Sequence, residues 1–101
     1  MEVIQFNDGD LDKGDWEGAQ WTFTAAMIVT CSPLFDDCED NYEVAEKLKK
    51  AKVIGKNDED DTESCQMFIY FKDKSAGKRF LNRLNKYLKT KAQKLEEAKS
   101  F

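Results

Sequence analysis

The chain has 101 residues, of which 41% are hydrophobic and 36% are charged, and its formal net charge is −4. This length suits one domain, residues 1–101, with one hydrophobic core. The composition is that of a folded protein with a charged surface, and it argues against a disordered chain.

The apolar runs are short. The longest, Ala25 to Val29 and Met67 to Phe71, hold five residues each, whereas a bilayer span needs roughly 20. The first residues also lack the basic start and long apolar stretch of a secretory signal. We therefore expect no membrane span and a cytoplasmic location.

The N-terminal part predicts two strands. Val3 to Phe6 forms a short apolar run that ends at Asn7-Asp8-Gly9-Asp10, residues typical of turns, and a loop is expected from there to about Trp16. From Trp21 to Cys31 apolar residues occupy every odd position. This period of two predicts a strand with one apolar face, which ends at Ser32-Pro33.

A first helix is predicted after this strand. Asp40 and Glu43 have the spacing of a capping box. Apolar residues then recur at helical spacing: Tyr42, Ala45, Leu48 and Ala51. Glutamates near the start and lysines near the end complement the helix dipole.

Two strands and a long helix complete the chain. Val53-Ile54 predicts a short strand, Gly55 to Glu63 an acidic loop, and Cys65 to Lys72 a central strand that is apolar on both faces. Asp73 or Ser75 is expected to cap a helix that runs to about Lys99. Its predicted buried stripe is Phe80, Leu81, Leu84, Tyr87, Leu88 and Leu95.

These elements predict an α+β fold with a four-stranded, mainly antiparallel sheet and two helices on one face. The order is β-β-α-β-β-α, with a long C-terminal helix. The part from Trp21 onward could form most of a ferredoxin-like plait, a topology that many unrelated functions share. Because Lys91 interrupts the buried stripe, we expect residues 91–101 to leave the core.

The charge is divided unevenly along the chain. Residues 1–71 hold 17 acidic and 6 basic side chains, a net charge of −11, whereas residues 72–101 hold 3 acidic and 10 basic side chains, a net charge of +7. Large fields of one sign steer association with partners of the opposite sign. The charge division is therefore the strongest functional signal in the sequence.

The acidic loops do not predict catalysis or metal binding. Carboxylates alternate from Asp8 to Asp15 as calcium ligands do, but Lys13 replaces the required turn glycine and Ala19 the bidentate glutamate. No glycine-rich phosphate loop or basic clamp accompanies Asp58 to Asp61. Histidine is absent, and the three cysteines form no Cys-x-x-Cys pair. We expect no metal, no cofactor and no enzymatic activity.

The sequence thus predicts a non-enzymatic protein–protein interaction module that presents an acidic surface to another protein with a basic surface. Because carboxylates satisfy the same cations as phosphates do, one form of this function is an inhibitor or decoy that mimics nucleic acid. Trp16 adds an aromatic anchor. The predicted partner-binding residues are Asp8, Asp10, Asp12, Asp15, Trp16, Asp58, Glu59, Asp60 and Asp61.

The alternative is a nucleic-acid-binding domain that uses the C-terminal helix. A helical wheel places five basic residues opposite the apolar stripe, where they can follow phosphates or merely balance the acidic remainder. These residues are Lys78, Arg79, Arg83, Lys86 and Lys89. A thinner apolar line near the C-terminus allows docking on a partner or on a second copy as a homodimer, and the alternative is that these final turns fray. It consists of Ala92, Leu95, Ala98 and Phe101.

Overall fold

The computed structural model describes residues 4–16, 19–24, 34–35, 37–56, 58–63 and 66–99, with the side chains of residues 14–16, 19–20 and 99 outside the description. The described strands and helices confirm the α+β class and the order β-β-α-β-β-α with a long C-terminal helix. They are β1 (Leu11–Trp16), β2 (Ala19–Thr24), α1 (Asn41–Lys50), β3 (Glu59–Thr62), β4 (Met67–Phe71) and α2 (Lys74–Lys99), preceded by a 3₁₀ turn at Asp8–Asp10.

The four strands form one sheet in the order β1-β2-β4-β3, and all neighbours are antiparallel. From β2 to α2 this is the strand order of a ferredoxin-like plait, and β1 takes the outer position beside β2. Among the described residues no helix is both long and apolar enough to cross a membrane.

The first predicted strand lies elsewhere. Ile4 to Phe6 is not strand, and Val3 is outside the described residues. Asn7 caps the 3₁₀ turn by accepting the N–H of Gly9 at 2.9 Å, and the chain enters β1 only at Leu11. Although Leu11–Trp16 contains Asp and Gly residues that disfavour strands, pairing with β2 holds it in the sheet. Most of the predicted second strand beyond Thr24 lies outside the described residues.

The third strand was also predicted at the wrong place. Val53 and Ile54 are buried loop residues, and both of their N–H groups donate to the carbonyl of Leu48. This closes the end of α1, with Lys52 in the left-handed region at φ 60°. The strand is instead Glu59–Thr62, within the predicted acidic loop, where it pairs with β4.

Both predicted helix caps are present. Asp40 accepts the N–H of Glu43 at 3.0 Å, and Asp73 accepts the N–H of Ala76 at 2.8 Å. In α1 the buried residues include Val44, Ala45 and Leu48, whereas Tyr42, predicted to lie in the apolar stripe, is 53% exposed.

The core lies between the helices and one face of the sheet. Strand residues Leu11, Phe23 and Ile69 are buried there against α1 and α2, and the Phe80 ring packs between the rings of Phe23 and Phe71. In α2 burial continues to Ala92, with Leu95 half-buried. Burial along the described part of α2 therefore continues past Lys91, where the sequence predicts that the helix leaves the core.

Two close contacts fix α2 to the rest of the fold. At Gly77 an added Cβ would lie 2.9 Å from Leu11 Cδ1, so glycine permits the first turns of α2 to approach β1. Near the middle of α2, Asn85 accepts the N–H of Phe6 at 2.9 Å and donates to its carbonyl at 2.8 Å. The side chain of Asn85 therefore holds the N-terminal segment against the helix.

Candidate protein-binding surface

The acidic run before and within β3 is divided between the two faces of the sheet. Side chains alternate along a strand. Asp60 is paired with buried Ile69 on the helix side, whereas Glu59 and Asp61 are paired with the half-buried Tyr70 and Phe68 on the opposite side. The four consecutive acidic residues therefore do not form one surface.

The carboxylates on the helix side are held by internal bonds. Asp58 accepts the N–H of Gly55 and the Nη2 of Arg83, both at 2.8 Å, and its side chain is only 7% exposed. Asp60 lies 3.1 Å from Lys49 Nζ and accepts the hydroxyl of Thr62 at 2.9 Å. Both residues fasten the segment from Gly55 to Thr62 to the helices.

The N-terminal carboxylates do not form one surface either. Asp8 forms an ion pair with Lys78 at 3.2 Å, and Asp10 accepts the N–H of Asn7 at 2.7 Å. Asp12 is exposed in β1, opposite Thr22. The side chains of the two other predicted site residues, Asp15 and Trp16, lie outside the described structure.

The face of the sheet away from the helices has an aromatic centre and an acidic rim. We call this the open face: Asp12, Thr22, Thr24, Glu59, Asp61, Phe68 and Tyr70. The rings of Phe68 and Tyr70 lie 6.5 Å apart on β4. Asp12 and the pair Glu59 and Asp61 occupy opposite edges, about 14 Å apart at three interstrand spacings.

The three rim carboxylates are exposed, and none forms an ion pair with another described residue. Burial and the negative charge of Asp61 raise the pKa of Tyr70 above its ordinary value of 10.0. The Tyr70 phenol is therefore neutral at physiological pH, and all negative charge on this face comes from the carboxylates.

The basic row predicted on α2 is partly used within the fold. Arg83 donates to the carbonyl of Val53 at 3.0 Å as well as to Asp58, and Lys78 pairs with Asp8. Two of the cations predicted to bind nucleic acid are thus paired with two of the carboxylates predicted to bind a partner protein. Arg79, Lys86 and Lys89 are exposed and form no ion pair with a described residue.

The neighbouring polar residues of α2 are not all available either. Asn85 is occupied by Phe6, whereas Lys86 and Lys89 line a surface depression of about 560 Å³. The predicted C-terminal apolar line is divided as well, because Ala92 is buried, Leu95 is half-buried and Ala98 is exposed. Phe101 lies outside the described residues.

A second group of titratable residues surrounds Lys91. Its Nζ lies 4.6 Å from the centre of the Phe35 ring and 5.8 Å from that of Tyr87. Burial, followed by the nearby positive charge of Lys47, lowers the pKa of Lys91. The two aromatic rings explain how a lysine is accommodated on the apolar side of α2.

Cys38 lies in the same group but is a poor nucleophile. Burial, and to a lesser degree the negative charge of Asp37, raises the pKa of the thiol, so less thiolate is present at neutral pH. Asp37 is itself engaged by Lys47, whose hydrogen bond lowers the carboxyl pKa. This arrangement does not activate the thiol for catalysis.

The described residues contain no group of three or more Cys, Asp and Glu side chains able to hold a metal ion. Comparison with protein-family models, with curated proteins and with solved structures gave no match.

The residues of the open face were only partly identified from the sequence. Asp12, Glu59 and Asp61 are among the predicted site residues, whereas Phe68 and Tyr70 belong to the predicted central strand that is apolar on both faces. Tyr70 in the sequence Phe68-Ile69-Tyr70 indicates that this face of the strand reaches solvent, because tyrosine is frequent where the hydroxyl end of a side chain meets water.

Proposed function

We propose that this protein is a non-enzymatic interaction module that binds a basic surface of another protein through the open face. The observation that carries the proposal is the selective pairing of carboxylates. The acidic side chains turned toward the helices are paired with Arg83 and Lys49, whereas Asp12, Glu59 and Asp61 form no ion pair with a described residue. Exposed carboxylates around aromatic rings supply charge for association and apolar area for affinity.

Inhibition of a nucleic-acid-binding partner is a specific form of this function. Proteins that bind single strands offer cations to the phosphates and apolar or aromatic side chains to the bases. The open face presents negative charge on both edges and aromatic rings between them. This distribution supports a decoy that occupies such a groove.

The experiment uses two variants with the same change in charge. A partner captured with the full chain is purified, and its affinity is measured at two salt concentrations for Glu59→Gln/Asp61→Asn and for the control Glu39→Gln/Glu97→Gln. We expect the open-face variant to bind about tenfold more weakly or worse, with a reduced salt dependence, since two interfacial charges are lost.

Equal affinity of the open-face variant and the unchanged chain would rule out this face as the binding surface. Equal weakening by both variants would show that only total charge matters. For the decoy form, the partner's nucleic acid should compete with the unchanged chain for binding.

A second candidate, nucleic-acid binding through α2, is favoured by the exposed cations Arg79, Lys86 and Lys89. Filter binding of single- and double-stranded DNA and RNA at low and high salt tests it, because phosphate contacts weaken steeply as salt increases. Retention at low salt that is lost in Lys86→Gln/Lys89→Gln supports this candidate. No retention at low salt excludes it.

A further inference from the structure

The β3 strand forms one edge of the sheet, and its ladder shows which backbone groups face outward. Glu63 and Gln66 exchange two backbone hydrogen bonds, with N···O distances of 2.7 and 3.3 Å. In an antiparallel ladder such pairs alternate with pairs that are not hydrogen-bonded. Asp61 and Glu59 therefore direct their N–H and C=O groups toward β4, whereas those of Asp60 and Thr62 point away from the sheet.

A groove runs beside this edge. It has a volume of about 540 Å³ and lies between α1 and β3, with Tyr42 and Glu46 on the helix side and Asp60 and Thr62 on the strand side. Tyr42 is 53% exposed, although its position in the helix suggested a buried residue. The exposed ring beside a strand edge provides apolar contact for an added chain.

The charge of the groove selects its occupant. Its acidic lining residues are Glu46, Asp60 and Asp61, and its cation, Lys49, lies 3.1 Å from Asp60. A basic segment compensates the remaining negative charge. A second copy of β3 does not, because the sequence Glu-Asp-Asp-Thr would place like charges opposite each other.

We propose that β3 accepts an extended, lysine- or arginine-rich segment of a partner protein as a fifth strand. The segment hydrogen-bonds to the outward N–H and C=O groups of Asp60 and Thr62. Its side chains alternate between the groove beside Tyr42 and Glu46 and the open face beside Asp61. This inference rests on the proposed function and specifies the form of the basic partner.

The probe is a six-residue peptide of alternating lysine and valine, added to the full chain. Hydrogen exchange of the amides is followed by NMR. We expect exchange at Asp60 and Thr62 to slow on binding, since these two N–H groups gain acceptors, while exchange at Asp61 changes less. In the control peptide every backbone nitrogen is methylated, which keeps the side-chain charges and removes the N–H donors. We expect the control peptide to bind about tenfold more weakly than the unmethylated peptide.

A protein variant tests the same point from the other side. Thr62→Pro removes an outward N–H and the hydroxyl that donates to Asp60, but no backbone bond to β4, so the sheet is retained. Peptide affinity should fall below that of the control Thr62→Val, which loses only the hydroxyl. If the Thr62→Pro variant does not fold, the lower affinity of the unchanged protein for the methylated peptide still tests the backbone hydrogen bonds.

Equal binding of both peptides, without slower exchange at Asp60 and Thr62, overturns strand addition and leaves binding by the open face intact. Failure of both peptides to bind also overturns strand addition. The proposed function is judged separately, by the affinity of the Glu59→Gln/Asp61→Asn variant for the complete partner.

Discussion

On the helix side of the sheet, Asp58 and Asp60 lie within 3.1 Å of Arg83 and Lys49, respectively, whereas on the open face Glu59 and Asp61 are exposed beside Tyr70 and Phe68. These four carboxylates are consecutive in the sequence. Asp60 differs from Glu59 and Asp61 because successive side chains of a strand leave on opposite sides, and Asp58, just before the strand, is held by Arg83 and the N–H of Gly55. Within this run, Asp60 pairs with Lys49 on the helix side, whereas Glu59 and Asp61 lie exposed on the opposite side.

The same difference applies to apolar residues. Ile69 is completely buried between the sheet and the helices, while its neighbours Phe68 and Tyr70 retain exposed area on the open face. The helix side of the sheet therefore contributes most of the stability of the domain, and substitutions on the open face should cost less. Four predictions test this division.

The largest expected effect comes from adjacent residues of β4. Ile69→Ala should destabilise the protein by about 2–5 kcal/mol, because it leaves a cavity in the core. Phe68→Ala should cost only about 1–2 kcal/mol, since part of the ring is already in water. Urea unfolding followed by circular dichroism measures both, and an equal or larger cost for Phe68→Ala would contradict the division.

A smaller effect is expected when a carboxylate is removed from each side. Asp58→Ala should cost about 2–3 kcal/mol, because Arg83 and the N–H of Gly55 lose their shared acceptor. The matched variant Glu59→Ala should change stability by less than about 0.5 kcal/mol. The same unfolding experiment compares them, and similar losses would mean that Glu59 has a structural role after all.

Lys91 extends the comparison to a cation in apolar surroundings. Lys47→Met should raise the pKa of Lys91, because a neighbouring positive charge is removed. Burial should still keep the pKa of Lys91 below 10.5. NMR after reductive methylation of the lysines measures this pKa. Since Lys91 releases its proton at lower pH in the folded chain than in the unfolded chain, its own contribution to stability grows as pH rises toward 10.5. An unchanged Lys91 pKa would show that the two ammonium groups do not interact.

The smallest effect is expected at an exposed ion pair. Asp8 and Lys78 have side chains that are 53% and 52% exposed. Asp8→Asn should therefore reduce stability by less than about 0.5 kcal/mol at low salt, and by less still at high salt. Thermal unfolding at two salt concentrations measures the difference, and a cost comparable to that of Asp58→Ala would remove the distinction between buried and exposed carboxylates.

The sequence predicted those elements whose own pattern matches their structure. Both helices, with the caps Asp40 and Asp73, have apolar residues at helical spacing, and the strand Met67–Phe71 is an uninterrupted apolar run. The two edge strands do not. Leu11–Trp16 and Glu59–Thr62 contain mainly polar residues and are held in the sheet by pairing with β2 and β4, which a local pattern does not reveal.

The candidate site was predictable in its residue types but not in its geometry. Asp12, Glu59 and Asp61 follow from the acidic composition of the first 71 residues. The engagement of Asp58 with Arg83 joins positions 25 residues apart, and it depends on how α2 packs. Once β3 is recognised as a strand, alternation separates Asp60 from Glu59 and Asp61, whereas Asp58 precedes the strand and is placed by its bond to Arg83.

The two hydrogen bonds between Phe6 and Asn85 have a consequence for synthesis of the protein. They join residues that are 79 positions apart, and the buried ring of Phe6 packs edge-on against Phe23. During translation, the N-terminal segment must therefore wait until most of α2 has left the ribosome before it reaches its final position. Until then, the sheet residues that α2 covers remain exposed to other chains.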